Sequence, residues 1–315
     1  MEKQCIGVDI GGTSIKIGSF SENGNLLKKW FIDTKQGSES NQIIPEIAAA
    51  IKEYAQDNNI ALSEFIGIGL TVPGPVLADG YVEACVNISG WRNIYPGREL
   101  SKLLDGVTVS LLNDANAAAL GETWQGAAKG CKSMFLMTLG TGVGGGLIYD
   151  GKILNGFHGL AGEIGHISFC EDEIDTCNCG AIGCIDQEIS ATGIVRETKR
   201  LLSTKGIMGS NLSLEKNFTC EDVFENAKLG DPVAKLVIDH FGKYLGKALT
   251  CITLMVDPEI ILLGGGISQA GDFLLQIAKS NYEKWERLSV NRAKIMLASL
   301  GNDAGIFGAA KFSIQ

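Results

Sequence analysis

The sequence lacks any long apolar run, any basic excess and any leader-like N-terminus. A membrane-spanning helix needs about 20 consecutive apolar residues. The apolar runs here, such as 260–263, are short and end in glycines. The opening MEKQCIGVD has no basic region followed by an apolar stretch, so no signal peptide is expected and the chain is expected to be cytoplasmic. Lys and Arg number 27 against 36 Asp and Glu, a formal net charge of -9. The chain as a whole therefore lacks the basic footprint of a nucleic-acid binder, and neither nucleic acid nor membrane is expected as a partner. An acidic chain can still bind phosphate through backbone N–H groups and helix N-termini. With 45% hydrophobic and 20% charged residues, disorder is excluded. Nine cysteines without a signal argue against a disulfide framework. Cys5, Cys85, Cys131 and Cys251 are expected to be small buried hydrophobes.

What is present is a recurring pattern of apolar runs ending in glycine turns. Its 315 residues suggest two domains. Residues 5–10 read as a strand turned by Gly11-Gly12, 14–20 as a second strand, Asn23-Gly24 as a hairpin and 26–32 as a third strand. The pattern returns at 134–139, the turn Gly140–Gly142, a strand over 145–149 and the Asp150-Gly151 hairpin. Such a repeat suits two similar domains, each presenting a glycine turn to a shared cleft. Strands are also expected at 66–72, 107–112 and 259–263, and helices at 41–56 and 115–125. Asp231-Pro232 starts a helix with Val233, Leu236, Val237, Phe241, Leu245, Leu249 and Ile252 on one face. Residues 203–218 read as a surface loop.

Five motifs carry candidate chemistry. In Asp9-Ile-Gly11-Gly12-Thr13-Ser-Ile-Lys16, glycines at a strand end let backbone N–H groups approach a phosphate, and Asp9 is placed to hold magnesium through water. The plainer reading of that motif alone is a glycine hairpin. In Thr138–Gly146, the glycines exceed what a tight hairpin needs, and close approach of a ligand accounts for the excess. Asn113-Asp114 stands at a strand end before a helix. There a carboxylate can take the proton from a sugar hydroxyl, although a helix N-cap is the plainer reading. His166, Cys177, Cys179 and Cys184 make a Cys₃His zinc set, with Cys170 fitting the spacing less well. Glu163, in Gly162-Glu163-Ile-Gly165-His166, is placed to accept hydrogen bonds from a sugar. His158 and His240 carry no partner signal.

Together these residues resemble the ROK family of sugar kinases and sugar-responsive repressors. The resemblance runs from Asp9 to Ala310, and Cys-x-Cys-Gly-x-x-Gly-Cys after Gly-Glu-Ile-Gly-His is its most specific part. It implies an α/β fold of two actin-like (ribonuclease H-like) domains around a central cleft. The smaller domain is expected at 1–115 plus 301–315 and the larger, with the zinc site, at 116–300. ATP would lie along Asp9, Gly11, Gly12, Thr13 and Lys16 and along Thr138, Gly140, Thr141 and Gly142, with Gly264, Gly265 and Gly266 near the adenosine. Asp114 would be the catalytic base. Asn87, Asn113, Asp114, Glu163, His166 and Asp186 would hold the sugar, His166 while also bound to structural zinc. The family carries Glu two residues after the last zinc cysteine, where it touches the sugar; here that residue is Asp186. The resemblance implies ATP-dependent phosphorylation of a hexose 6-hydroxyl, glucose foremost, with an N-acylhexosamine as the alternative acceptor. Some relatives use polyphosphate as donor. A homodimer is a family expectation. A repressor would need a helix-turn-helix module, for which the start of the kinase motif at Asp9 leaves no room. A chaperone ATPase would need a peptide-binding domain, and gives no reason for the three cysteines.

Overall fold

The computed structural model describes residues 3–85, 88–204, 209–288 and 291–315. Asn87 lies outside the described residues, as do residues 205–208 of the expected surface loop. The described part of that loop from 209 to 218 holds neither helix nor strand. The chain divides into two compact units. The first comprises Met1–Lys132, Gly146–Ala161 and Leu300–Gln315, the second Ser133–Gly145 and Gly162–Ser299. No helix among the described residues is long and apolar enough to cross a membrane.

In chain order the first unit holds β1 (Gln4–Ile10), β2 (Ser14–Ser21), β3 (Leu26–Asp33), α1 (Ile43–Asp57), β4 (Phe65–Val72), β5 (Val82–Ala84), β6 (Arg92–Ile94), α2 (Pro96–Leu103), β7 (Val109–Asn113) and α3 (Asp114–Gln125). Then come β8 (Met134–Leu139), β9 (Val143–Tyr149), β10 (Lys152–Ile153), α4 (Ile185–Ile189), α5 (Ala191–Ser203), α6 (Cys220–Lys228), α7 (Pro232–Val256), β11 (Ile260–Gly264), α8 (Asp272–Trp285) and β12 (Lys294–Leu297). α9 (Ala304–Ser313) closes the chain in the first unit. The two five-stranded sheets run β3-β2-β1-β4-β7 and β10-β9-β8-β11-β12. In the first, β1–β2 and β2–β3 are antiparallel while β1–β4 and β4–β7 are parallel. In the second, β11 pairs parallel with both β8 and β12. The strand, glycine turn, strand, Asx-Gly turn, strand pattern thus opens each sheet. Asp150 and Gly151 both have positive φ, 50° and 73°, as a two-residue hairpin turn requires.

One face of the first sheet meets α1, whose Ile43, Ile44, Ile47, Ile51 and Tyr54 are all buried, as their helical spacing predicts. The other face meets α9. A Cβ on Gly7 would stand 2.0 Å from the Ile306 carbonyl oxygen, and one on Gly69 1.8 Å from that of Ala309. Helix α9 therefore rests main chain on main chain against β1 and β4. It meets α3 in the same manner, since a Cβ on Gly308 would stand 1.6 Å from the Ala117 oxygen. This packing keeps α3 in the first unit, whereas a boundary at 115/116 would cut through its first turn.

Some expectations need correction. Leu236 is 48% exposed although expected on the apolar face of α7; it lies outside the broad stripe that the helix buries, which includes Val233, Val237, Phe241 and Leu245. Cys131 and Cys251 are only half-buried, while Cys5 and Cys85 are buried. His240 does have a partner, the buried Glu188 carboxylate. That partner is 52 residues away in sequence, beyond the reach of a local pattern.

Gly69→Ala is expected to destabilise the fold by about 1–3 kcal/mol, because the new methyl collides with backbone that cannot rotate away. A lower urea midpoint with an unchanged slope would register the loss; an unchanged midpoint would contradict the close packing.

Candidate functional site

In the first unit, the parallel register of β4 and β7 ends at Val72↔Asn113, and α3 begins at Asp114. The N-cap is Asn113, not Asp114. The Asn113 side-chain oxygen accepts from the backbone N–H of Ala115 (2.9 Å) and Asn116 (3.1 Å), and its amide donates to the Gly74 carbonyl (3.1 Å). Asp114 is the exposed first residue of the helix, and its Oδ1 accepts from Ala115 N–H at 2.9 Å. Beyond the cap, Asn116 donates to Asn155, which donates to the Val76 carbonyl. These links brace the loop after β4 against the start of α3.

The Asp9 motif forms the β1–β2 turn of the same unit. Gly11 N–H donates to the Ser14 carbonyl, and Thr34 and Gln36 donate their side chains to the carbonyls of Gly11 and Gly12, each at 2.7 Å. Thr13 is exposed. Thr71 donates to Asp9 Oδ1 at 2.6 Å. Burial pushes the Asp9 carboxyl above the ordinary range, opposed by the Thr71 hydroxyl and the Lys16 charge. Lys16 itself pairs with Asp303 at 3.4 Å and donates to the Asn302 carbonyl, so the turn before α9 holds its ammonium.

In the second unit, the ligand atoms of His166, Cys177, Cys179 and Cys184 all lie within 4.8 Å of one another. Cys179 Sγ is 3.6 Å from Cys184 Sγ, and Cys177 Sγ is 3.8 Å from His166 Nδ1. A tetrahedral centre with Zn–S bonds of ~2.3 Å has S···S edges of about 3.8 Å, so these four residues fit such an ion. The other ring nitrogen, His166 Nε2, faces Glu163 Oε2 at 4.0 Å. Burial raises the Glu163 carboxyl, against the pull of His166. The thiols differ: the Ala181 backbone N–H leads in holding Cys179 below the usual thiol range, while burial pushes Cys184 up to about 12. A bound cation would favour thiolate at both.

Residues that local reading passed over hold this loop. Gln187 Oε1 accepts from the N–H groups of Gly183 and Cys184, and its amide donates to the Asp175 carbonyl. Arg196 binds Glu173, Asp175 (3.2 Å) and the Gln187 carbonyl (3.1 Å). Gln187 adjoins the zinc motif, which was the signal available. Arg196 offered none.

The second glycine turn is also in this unit. Gly140 N–H donates to the Gly142 carbonyl, Ala191 N–H to the Gly140 carbonyl and the Thr192 hydroxyl to the Thr141 carbonyl. Val143 N–H donates to Asp186 Oδ1 at 2.6 Å. Thr138 pairs with Gly264 across β8 and β11. Gly265, with φ 80°, lies so close to Leu139 that a Cβ would stand 2.4 Å from its carbonyl oxygen. Gly140, Thr141 and Gly266 line a cavity of about 400 Å³ whose far wall includes Thr219, Phe224 and Ile267. A cavity with one apolar wall and glycine turns at its mouth suits a base and its phosphates.

The ROK family model matches residues 5–315, and the chain belongs to the ROK family. It is 41% identical to a glucokinase of Halalkalibacterium halodurans over 98% of this chain and 94% of that one. It is 35% identical to a glucokinase of Thermotoga maritima over 98% and 96%. Among solved structures, it resembles a ROK family glucokinase from Streptomyces griseus in complex with glucose and AMPPNP, with TM-score 0.77, 31% identity and 98% of each chain covered.

The purified protein is expected to carry about one divalent metal ion per chain and the Cys179→Ser variant close to none, measured by elemental analysis. Full metal retention would show that Cys179 is not a ligand.

Proposed function

We propose that this protein transfers the γ-phosphoryl group of ATP to the 6-hydroxyl of a hexose, with glucose as the acceptor. The observation that carries the reading is the relatives named glucokinase, which match nearly the whole chain at up to 41% identity. The intact Asp114 at the start of α3 supports an enzyme over a sugar-sensing regulator. We take both units to be actin-like, since each sheet opens with the same strand and glycine-turn pattern.

In this reading the two glycine turns and the cavity beside Gly264–Gly266 bind the nucleotide. Backbone N–H groups solvate the phosphates without requiring surplus positive charge. Asp9 holds magnesium through water, and Thr13 donates its hydroxyl. Lys16 reaches the phosphates only by loosening its hold on Asp303. The Mg²⁺ supplies charge neutralisation at the phosphates. Asp114 accepts the proton of the attacking hydroxyl as the phosphoryl group arrives. Glu163 and His166 hold the sugar, with Asn87 and Asn113 contributing, Asn113 through whatever acceptor capacity its capping role leaves. Zinc is the metal we assign to the Cys₃His set, where it acts structurally: one ring nitrogen of His166 binds it and the other faces the sugar.

A coupled ADP-release assay with ATP and magnesium against glucose, N-acetylglucosamine, N-acetylmannosamine, mannose and fructose tests the reading. Turnover is expected with glucose in preference to the others. Absence of turnover with every sugar would overturn it. Asp114→Asn is expected to leave sugar affinity largely intact while lowering kcat at least ~10²-fold. An unchanged kcat would remove Asp114 from the role of base.

A further inference from the structure

Asp186 stands where the family resemblance puts a sugar-binding Glu, yet its carboxylate is committed elsewhere. Its Oδ1 accepts from Val143 N–H at 2.6 Å, in the short range of charge-assisted hydrogen bonds. Val143 is the first residue of β9, immediately after the turn Gly140–Gly142. The contact is close-fitting, since a Cβ built on Gly142 would stand 2.9 Å from the same Oδ1. Gly142 has no positive φ, so that crowding, rather than backbone strain, is what a side chain there would meet. Two further tethers come from the chain just beyond: Ala191 N–H to the Gly140 carbonyl and the Thr192 hydroxyl to the Thr141 carbonyl. Three points of the 186–192 segment thus grip a turn that has no long side chains of its own to pack. The shorter Asp matters to this geometry. A Glu here would carry one more methylene and one more rotatable bond, so its carboxylate would be held less firmly at the Val143 N–H than that of Asp186.

We propose that Asp186 is a positioning residue for the donor-phosphate turn rather than a ligand of the sugar. The assignment rests on the reading of Thr138–Gly146 as a nucleotide-binding turn. By fixing Val143, Asp186 sets the direction of the turn's N–H groups before nucleotide arrives, and its removal leaves that N–H without its acceptor and the turn loose.

The test is direct binding to the full zinc-loaded chain, with magnesium AMPPNP and glucose titrated separately by calorimetry. Asp186→Ala is expected to raise the Kd for AMPPNP about tenfold and leave that for glucose within about twofold. Asp186→Asn keeps an acceptor at the same reach and is expected to recover the nucleotide affinity to within about threefold of wild type. Gly142→Ala pushes the carboxylate off Val143 and is expected to weaken AMPPNP in the wild-type background but to add little on top of Asp186→Ala, the non-additivity of two groups in contact. A raised glucose Kd with unchanged AMPPNP binding would make Asp186 a sugar ligand and overturn the proposal. So would additive effects of the two substitutions, or equal loss of both ligands in Asp186→Asn. A wild-type chain that binds no AMPPNP overturns the kinase reading and this assignment with it. A wild type that binds AMPPNP, with Asp186→Ala binding it equally well, overturns the assignment alone.

Discussion

Helix α9 can lie against β1 and β4 only where those strands carry no side chain, and Gly7 and Gly69 supply that surface. Main chain then touches main chain, and the same helix uses Gly308 to approach α3 at Ala117. The first unit depends on this three-way contact. It fixes the axis of α3, and Asp114 is the first residue on that axis. It also brings the turn before α9 to Lys16, through Asn302 and Asp303. A carboxylate that must meet a hydroxyl within hydrogen-bond reach needs such a rigid mount, because small displacements cost rate steeply.

The second unit solves a related problem with polar links. The segment from Cys177 to Thr192 is short of regular structure, with α4 only five residues long. The side chains of Cys177, Cys179, Cys184 and His166 converge at one end, and Gln187 and Arg196 tie the loop's backbone to itself. Behind them the buried Glu188 carboxylate is satisfied by His240 and lies 3.9 Å from Arg196. A buried charge with partners on both sides is costly to disturb, so this cluster resists movement of α4. The same α4 carries Asp186 to the glycine turn. The Cys₃His loop and the turn Gly140–Gly142 are therefore successive attachments of one stretch of chain.

Much of this was legible in sequence. The alternating runs and Asx-Gly turns placed β1 to β4, β8 and β11 within a few residues, since strand period and turn chemistry are local. The cysteine spacing picked out side chains that the structure brings together with His166, because groups converging through a tight loop are near in sequence. What stayed hidden depends on distant pairing. Strand β12 is four residues long with no turn signature, and it is a strand because β11 lies beside it. Gly7 and Gly69 carry no local signal of the helix that crosses them, and Gly308, on that helix, none of its contact with Ala117. The partner of Glu188, His240 on α7, is 52 residues away and no local pattern pairs them.

Asn113 and Asp114 show how one local signal can be right about the place and wrong about the residue. An acidic residue before Ala-Asn-Ala-Ala-Ala reads first as a helix cap, and a cap is present one residue earlier. The helix N-terminus needs only one side chain to accept its first N–H groups, and Asn113 does so twice while its amide grips Gly74. Asp114 also serves the helix end, its Oδ1 accepting from Ala115 N–H. Its exposed carboxylate stands in the first turn of α3, at the positive end of the helix dipole. We propose for the same carboxylate a second role, accepting the proton of the attacking hydroxyl, and the start of a well-anchored helix gives it a fixed position for that role.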